Sequence, residues 1–398
     1  MCVQVHHILE QLGDILDAAA DAVAQIEQIL EKIPAAVTHP TTPGEQPNNS
    51  SPCARAAFRG TLEFMDPVTA LREIAYYKDR AREESRRVMA YRKAADVVEA
   101  LTDEQRERLG QTNGWQSLPG VGPKTAKVIA QAWAGREPDA LTELREKATD
   151  LGGGDIRAAL KGDLHLHSNW SDGSAPIAEM MATAQRLGHE YCALTDHSPR
   201  LTIANGLSPE RLRHQLDVID ELRDSFSSMR ILTGIEVDIL DDGSLDQEPE
   251  LLERLDIVVA SVHSKLAMDA DAMTRRMVRA VSGGQADVLG HCTGRLVEGS
   301  RGIRPESKFD AEAVFTACRD NGVAVEINSR PERRDPPDRL LTLAIDIGCV
   351  FSIDTDAHAP GQLDFLGYGA QRALDAGLAQ DRIVNTWPAD RLLAWAAS

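Results

Sequence analysis

Residues 162–173 read GDLHLHSNWSDG. A short apolar run carries two histidines one residue apart, His165 and His167, and a carboxylate, Asp172, follows in the next few residues. Side chains on a strand repeat on one face every second residue, so His-x-His aims both imidazoles the same way. The last run of this kind, CVFSIDTDAH at 349–358, ends with the same device in Asp356 and His358.

Between these two stretches lie others of the same build. YCALTDHS (191–198) leads to His197, RILTGIEVDIL (230–240) carries Glu236, LDIVVASVHS (255–264) leads to His263 and ADVLGHC (286–292) to His291. GVAVEINS (322–329) has Asn328 in the corresponding place. Each is a β-branched or aliphatic run bounded by Gly, Asp, Asn or Ser, the pattern of a buried strand. Helix-length stretches at 178–187, 209–225, 271–281, 310–321 and 339–347 separate them. Strands alternating with helices imply parallel βα units. About seven such units predict an α/β fold, a distorted seven-stranded (β/α)7 barrel whose strand-end loops converge on one face.

One His or Asp at a strand end is most often a cap or a satisfied polar group. Here six of the eleven histidines sit at strand ends together with Asp172, Glu236 and Asp356. Imidazole and carboxylate without thiolate favour zinc, manganese or iron(II) over a structural thiolate site. Nine ligands exceed the need of one ion and suit two or three divalent metals. Closely spaced metals lower the pKa of a shared water and hold the attacking and leaving oxygens of a phosphoryl centre, so phosphoester hydrolysis is the expected chemistry.

The motifs GDLHLHSNWSDG, LTDHSP, GIEVDIL, SVHS, GHCTGR, EINS and DTDAH resemble the PHP (polymerase and histidinol phosphatase) domain family. The resemblance runs from 161 to about 370 and implies a trinuclear metal site in a seven-stranded barrel. It would place His165, His167, Glu236 and Asp356 on one metal, with Glu236 bridging to a second on His263 and His291, and Asp172, His197 and His358 on a third. Glu236, His291 and Asp356 are the residues on which catalysis is expected to depend. Within the family, ANGLSPERL, GHCTGRL, INSRPERRD, LTLAIDIG and IVNT are similar to the PHP domain of bacterial X-family DNA polymerases, with Cys292 where proline is more usual. That likeness implies a manganese-dependent 3′-to-5′ exonuclease or 3′-end phosphoesterase. Lys265, Arg200, Arg295 and Arg330 are the candidate phosphate binders.

Upstream, SLPGVGPKTAKVIAQAW (117–133) reads as a Gly-x-Gly hairpin opening a helix. Gly120 and Gly122 allow close backbone approach, helix-opening amides suit a phosphate oxygen, and Lys124, Thr125 and Lys127 add donors. The segment resembles the helix-hairpin-helix DNA-binding motif. VMAYRKAADVVEAL resembles the small DNA-end-binding domain of X-family polymerases, with Arg86, Arg87, Arg92 and Lys93 as a basic cluster for backbone contact. Two features depart from that branch. The lyase lysine's position falls on Val128, with Lys127 one place short and so turned by about 100° on a helix. The stretch between Trp133 and Lys161 is too short for a polymerase palm.

The expected organisation is an amphipathic helix at 1–33, a Pro/Ser/Thr-rich tether at 34–62, a helical DNA-end-binding domain at 63–148, a linker at 149–160 and the barrel at 161–398. The first helix carries Ile8, Leu12, Ile15, Ala19, Ala22, Ile26, Ile29 and Ile33 in a 4-3 spacing suited to self-association. Its polar face is acidic, which argues against membrane binding. The net charge is −19, so DNA affinity should be local and salt-sensitive. Six cysteines without a CxxC pair read as reduced thiols, and with no signal peptide or long apolar run the expected place is the cytoplasm. Three readings follow: a DNA-end nuclease or 3′-phosphoesterase in repair, a small-molecule phosphatase acting on histidinol phosphate or a nucleotide, and a non-catalytic DNA-binding adaptor.

Overall fold

Among the described residues, five helices, α1 (Pro67–Arg80), α2 (Ser85–Glu99), α3 (Asp103–Thr112), α4 (Pro123–Trp133) and α5 (Asp139–Lys147), follow one another up to residue 147. The computed structural model describes residues 65–299 and 302–398. The amphipathic helix, the tether and the self-association expected of the helix lie outside the described residues. The chain divides into two compact units, the second made of Asp79–Ala81 and Thr149–Ser398.

In the first unit the apolar stripes of the helices close around Leu71, Ile74, Ala95, Leu109, Trp115 and Ile129. Thr102 caps α3 in a capping box with Gln105, which satisfies two helix-end amides reciprocally. A single 3-10 turn (Gly114–Ser117) leads into the hairpin, and Pro123 opens α4 where its missing N–H is not needed.

The second unit begins with α6 (Gly154–Ala159) and is a nearly closed parallel barrel. Its strands are β1 (Gly162–Asp163), β2 (Tyr191–Leu194), β3 (Arg230–Asp238), β4 (Ile257–Ser261), β5 (Val288–Leu289), β6 (Ala324–Asn328) and β7 (Phe351–Asp354). Each pairs in parallel with the next in chain order. Between β1 and β7 an isolated bridge from Leu166 to Ala357 and side-chain hydrogen bonds, such as Leu164 N–H to Asp354 Oδ1 at 2.9 Å, span the seam. The outer layer is α7 (Ile177–Arg186), α8 (Pro209–Arg223), the short α9 (Pro249–Leu252), α10 (Ala270–Val281), α11 (Ala311–Asp320), α12 (Asp338–Ile347), α13 (Leu366–Asp375) and α14 (Ala389–Ala396). Five of these match the stretches expected from sequence to within two residues at each end. Ser208, Asp269 and Asp310 accept amide hydrogens at the starts of α8, α10 and α11.

The strands are buried along almost their whole length, as both faces of a helix-covered parallel sheet must be. At the base of the barrel Tyr191, Ala193, Leu232, Val259, Val288 and Ala324 form one apolar cluster, joined by Val384, Trp387 and Leu392. No helix among the described residues is long and apolar enough to cross a membrane.

Candidate metal centre

Period two carries each strand from this apolar base to a polar mouth. Leu232 is followed on the same face of β3 by Gly234 and Glu236, and Val259 on β4 by Ser261 and then His263. Ser352 and Asp354 on β7 lead to Asp356 and His358. β1 is only two residues long, and His165 and His167 lie beyond it, held by the Leu166–Ala357 bridge.

All nine sequence-assigned ligands come together at this mouth. Glu236, 1% exposed, stands at the centre. Its Oε2 lies 3.4 Å from His165 Nε2, 3.6 Å from His167 Nε2 and 2.8 Å from His197 Nδ1. Its Oε1 lies 3.1 Å from His263 Nε2 and 2.9 Å from His291 Nε2. Asp356 Oδ1 is 3.5 Å from His167 Nε2, and Asp172 Oδ1 is 3.4 Å from His197 Nε2 and 3.3 Å from His358 Nε2. Ligand atoms within 4.8 Å of one another form three sets: His167, Asp172, His197 and His358; His165, His167 and Asp356; His197, Glu236 and His263. Shared members make one continuous cluster rather than three isolated shells.

The donor set fits divalent metal ions. His165 Nε2, both nitrogens of His167, His197 Nδ1, His263 Nε2 and Glu236 Oε2 are buried without a hydrogen bond, although several lie close to an opposite partner. Buried polar atoms are normally paired. Atoms that converge without aligning as donor and acceptor are arranged for a shared cation. Burial alone would raise the Glu236 carboxyl, but the His263, His165 and His197 imidazoles hold it well below the ordinary range. Asp356 is likewise held down against burial by Arg333 and Arg330. Burial, with His358 and His197 beside it, pushes His167 well below the usual imidazole range, which leaves it a neutral ring. Asp356 also adopts a left-handed backbone, φ 50°, a conformation that costs of order 1–3 kcal/mol in a non-glycine residue and gathers at functional sites.

Residues 163–330 match the PHP domain family, and residues 65–137 match a helix-hairpin-helix domain family. The barrel is a PHP domain. The DNA polymerase/3′-5′ exonuclease PolX of Bacillus subtilis is 38% identical over 226 residues, 57% of this chain. The alignment spans only 39% of that protein's length. A "probable phosphatase" of Syntrophotalea carbinolica is 28% identical over 56% of this chain and 90% of its own length. A crystal structure of histidinol phosphate phosphatase from Lactococcus lactis, with zinc, L-histidinol and phosphate, aligns at 20% identity and a TM-score of 0.40, covering 55% of this chain and 94% of that one.

The four basic candidates at the PHP mouth separate clearly. Arg330 is inside the cluster, its Nη1 2.8 Å from the Asp356 carbonyl and 2.9 Å from His358 Nδ1. Arg295 spends its guanidinium on the Arg333 and Arg334 carbonyls. Lys265 is exposed and paired with Asp241, and Arg200 is exposed. Sequence reading missed Asp238, Glu326 and Arg333, all buried beside ligands. Asp238 and Glu326 had a signal, an acidic residue inside a strand-like apolar run. Arg333, whose Nε is 2.9 Å from Asp356 Oδ2, lies in a charged loop and had none.

In the helix-hairpin-helix domain Gly120 has φ 88°, and a Cβ there would meet Lys93 Cε at 2.8 Å, so the lysine stem lies over the hairpin. Lys93, Arg87 and Lys124 are exposed. Arg92 is 5% exposed and packs near Met89, so the expected basic cluster is split between surface and interior. Thr125 is buried as well, exchanging hydrogen bonds with the Gly122 amide and carbonyl at 2.9 and 3.0 Å. It caps the helix from inside. Val128 belongs to the core, whereas Lys127 is exposed and pairs with Asp139 at 2.7 Å.

Proposed function

We propose that this PHP phosphoesterase hydrolyses phosphoester bonds at DNA 3′ ends, as an exonuclease or 3′-end processing enzyme of repair. The observation that carries the DNA reading is a helix-hairpin-helix domain on the same chain as the barrel. The likeness to a protein named polymerase/3′-5′ exonuclease supports it. His165, His167, Asp356 and Glu236 would hold one divalent ion, Glu236 with His263 and His291 a second, and Asp172, His197 and His358 a third, zinc and manganese being best suited to these donors. When bound, such ions supply an activated water and offset phosphate charge. Glu236 fixes the spacing of the cluster, because its two oxygens face different histidines. Arg330 is placed to donate to a phosphate oxygen beside Asp356 and His358, and exposed Lys265 and Arg200 suit the following phosphates of a strand. Lys93, Arg87 and Lys124, with the hairpin backbone at Gly120 and Gly122, suit the DNA backbone.

The test offers the full chain, with Mn²⁺ or Zn²⁺, a 5′-labelled primer–template and a panel of phosphomonoesters. Removal of nucleotides from the 3′ end, lost in Asp356→Ala, is the expected result. Phosphate release from small esters with the primer intact would overturn the DNA reading. It would favour a small-molecule phosphatase, a reading supported by the 90% of their own length over which relatives described as phosphatases align.

A further inference from the structure

Six of the seven strands lead to a residue assigned above to the metals, and β6 leads to none. Yet β6 carries Glu326, a carboxylate with 0% exposure directly under the cluster. A buried carboxylate is costly unless its oxygens are hydrogen-bonded, and both of these are. Oε1 lies 2.6 Å from His165 Nδ1. Oε2 accepts the His291 amide and, at 3.2 Å, Asn328 Nδ2. Asn328 Nδ2 also reaches Asp356 Oδ2 at 3.3 Å, where Arg333 Nε donates at 2.9 Å.

We infer that β6 is the orienting strand of the centre and that Glu326 is a positioning residue, fixing His165 as its Nδ1–H tautomer with Nε2 free for the metal. This rests on the metal reading given above. A carboxylate accepts, so the His165 nitrogen facing it carries the hydrogen, and the opposite nitrogen, 3.4 Å from Glu236 Oε2, keeps its lone pair. The same side chain holds the His291 backbone, so one residue sets ligands in both halves of the cluster. On the far side, Asn328 and Arg333 occupy Asp356 Oδ2 and leave Oδ1 toward His167. Asp238 stands to His263 as Glu326 stands to His165, with Oδ1 3.2 Å from Nδ1.

In Glu326→Gln the amide cannot accept from both His165 and the His291 N–H. The experiment compares full-length wild type and E326Q, each chelated and then titrated with Co²⁺ by equilibrium dialysis and visible absorption. Circular dichroism of the chelated proteins monitors the fold. The expected result is matching folds, with Co²⁺ affinity about 10- to 100-fold weaker in the variant and a changed absorption band. Unchanged affinity and band in E326Q would overturn the inference alone. A wild type that takes up no Co²⁺ would overturn the metal reading and the inference together. Should E326Q not fold, ¹⁵N-histidine spectra of the wild type decide, with His165 assigned by its loss in His165→Gln. An Nδ1–H tautomer supports the inference and an Nε2–H tautomer refutes it.

Discussion

The mouth and the base of the barrel both bury histidine, to opposite effect. His189, just before β2, is 4% exposed, and neither ring nitrogen has a hydrogen-bond partner. Burial, with Arg157 nearby, drives its pKa down to about 3, so it is a neutral ring. His167 at the mouth is just as buried and is also pushed down, yet its Nε2 faces Asp356 and Glu236 at 3.5 and 3.6 Å. Burial and neutrality are therefore common to both places. What separates a candidate ligand from filling is the convergence of carboxylates and further imidazoles on the same point.

The sharpest way to break that contrast is to remove the convergence. Glu236→Gln deletes the anion that five histidines face and should lower turnover roughly 10³-fold, the equivalent of about 4 kcal/mol. Full activity with unchanged metal content would show that the central carboxylate is dispensable. His189→Leu should leave turnover at the wild-type value. Metal removal comes next. A ligand that binds only the folded state stabilises it by about 4 kcal/mol at a thousandfold excess over Kd. Chelation is accordingly expected to lower the thermal midpoint of wild type and His189→Leu by the same amount. A midpoint indifferent to chelation would mean that the buried mouth needs no cation.

Most of the mouth was legible in the chain because each ligand ends or interrupts an apolar run, and the two-residue repeat turns a position in sequence into a face. His165 and His167, or Asp356 and His358, could hardly point elsewhere. Asn328 was seen as the odd member, but the role of β6 was not, because Glu326 acts through other side chains and no spacing records a contact between strands far apart in sequence. The helical unit was less transparent. Arg92 and Thr125 read as surface donors beside Lys93 and Lys124, yet they face inward. A helix buries whichever side meets its neighbours, and neighbour positions are a tertiary fact. Val128, by contrast, takes the apolar place its residue type suggests.

The smallest effect concerns the base alone and has a definite sign. The folded pKa of His189, about 3, lies below the roughly 6.5 of an exposed imidazole, so between those values the unfolded chain binds the proton and the folded one does not. Stability from this residue is fully present above about pH 6.5 and is lost as pH falls toward 3, by at most about 1.4 kcal/mol per pH unit. Leucine at 189 has no proton to take up. The urea midpoint of His189→Leu should therefore fall less steeply than that of wild type between pH 6.5 and 4. Both proteins are measured after chelation, so that the titration of the mouth is common to the two curves and cancels in their difference. Parallel curves would mean that His189 already finds a proton in the folded state, and the base would then hold a polar histidine after all.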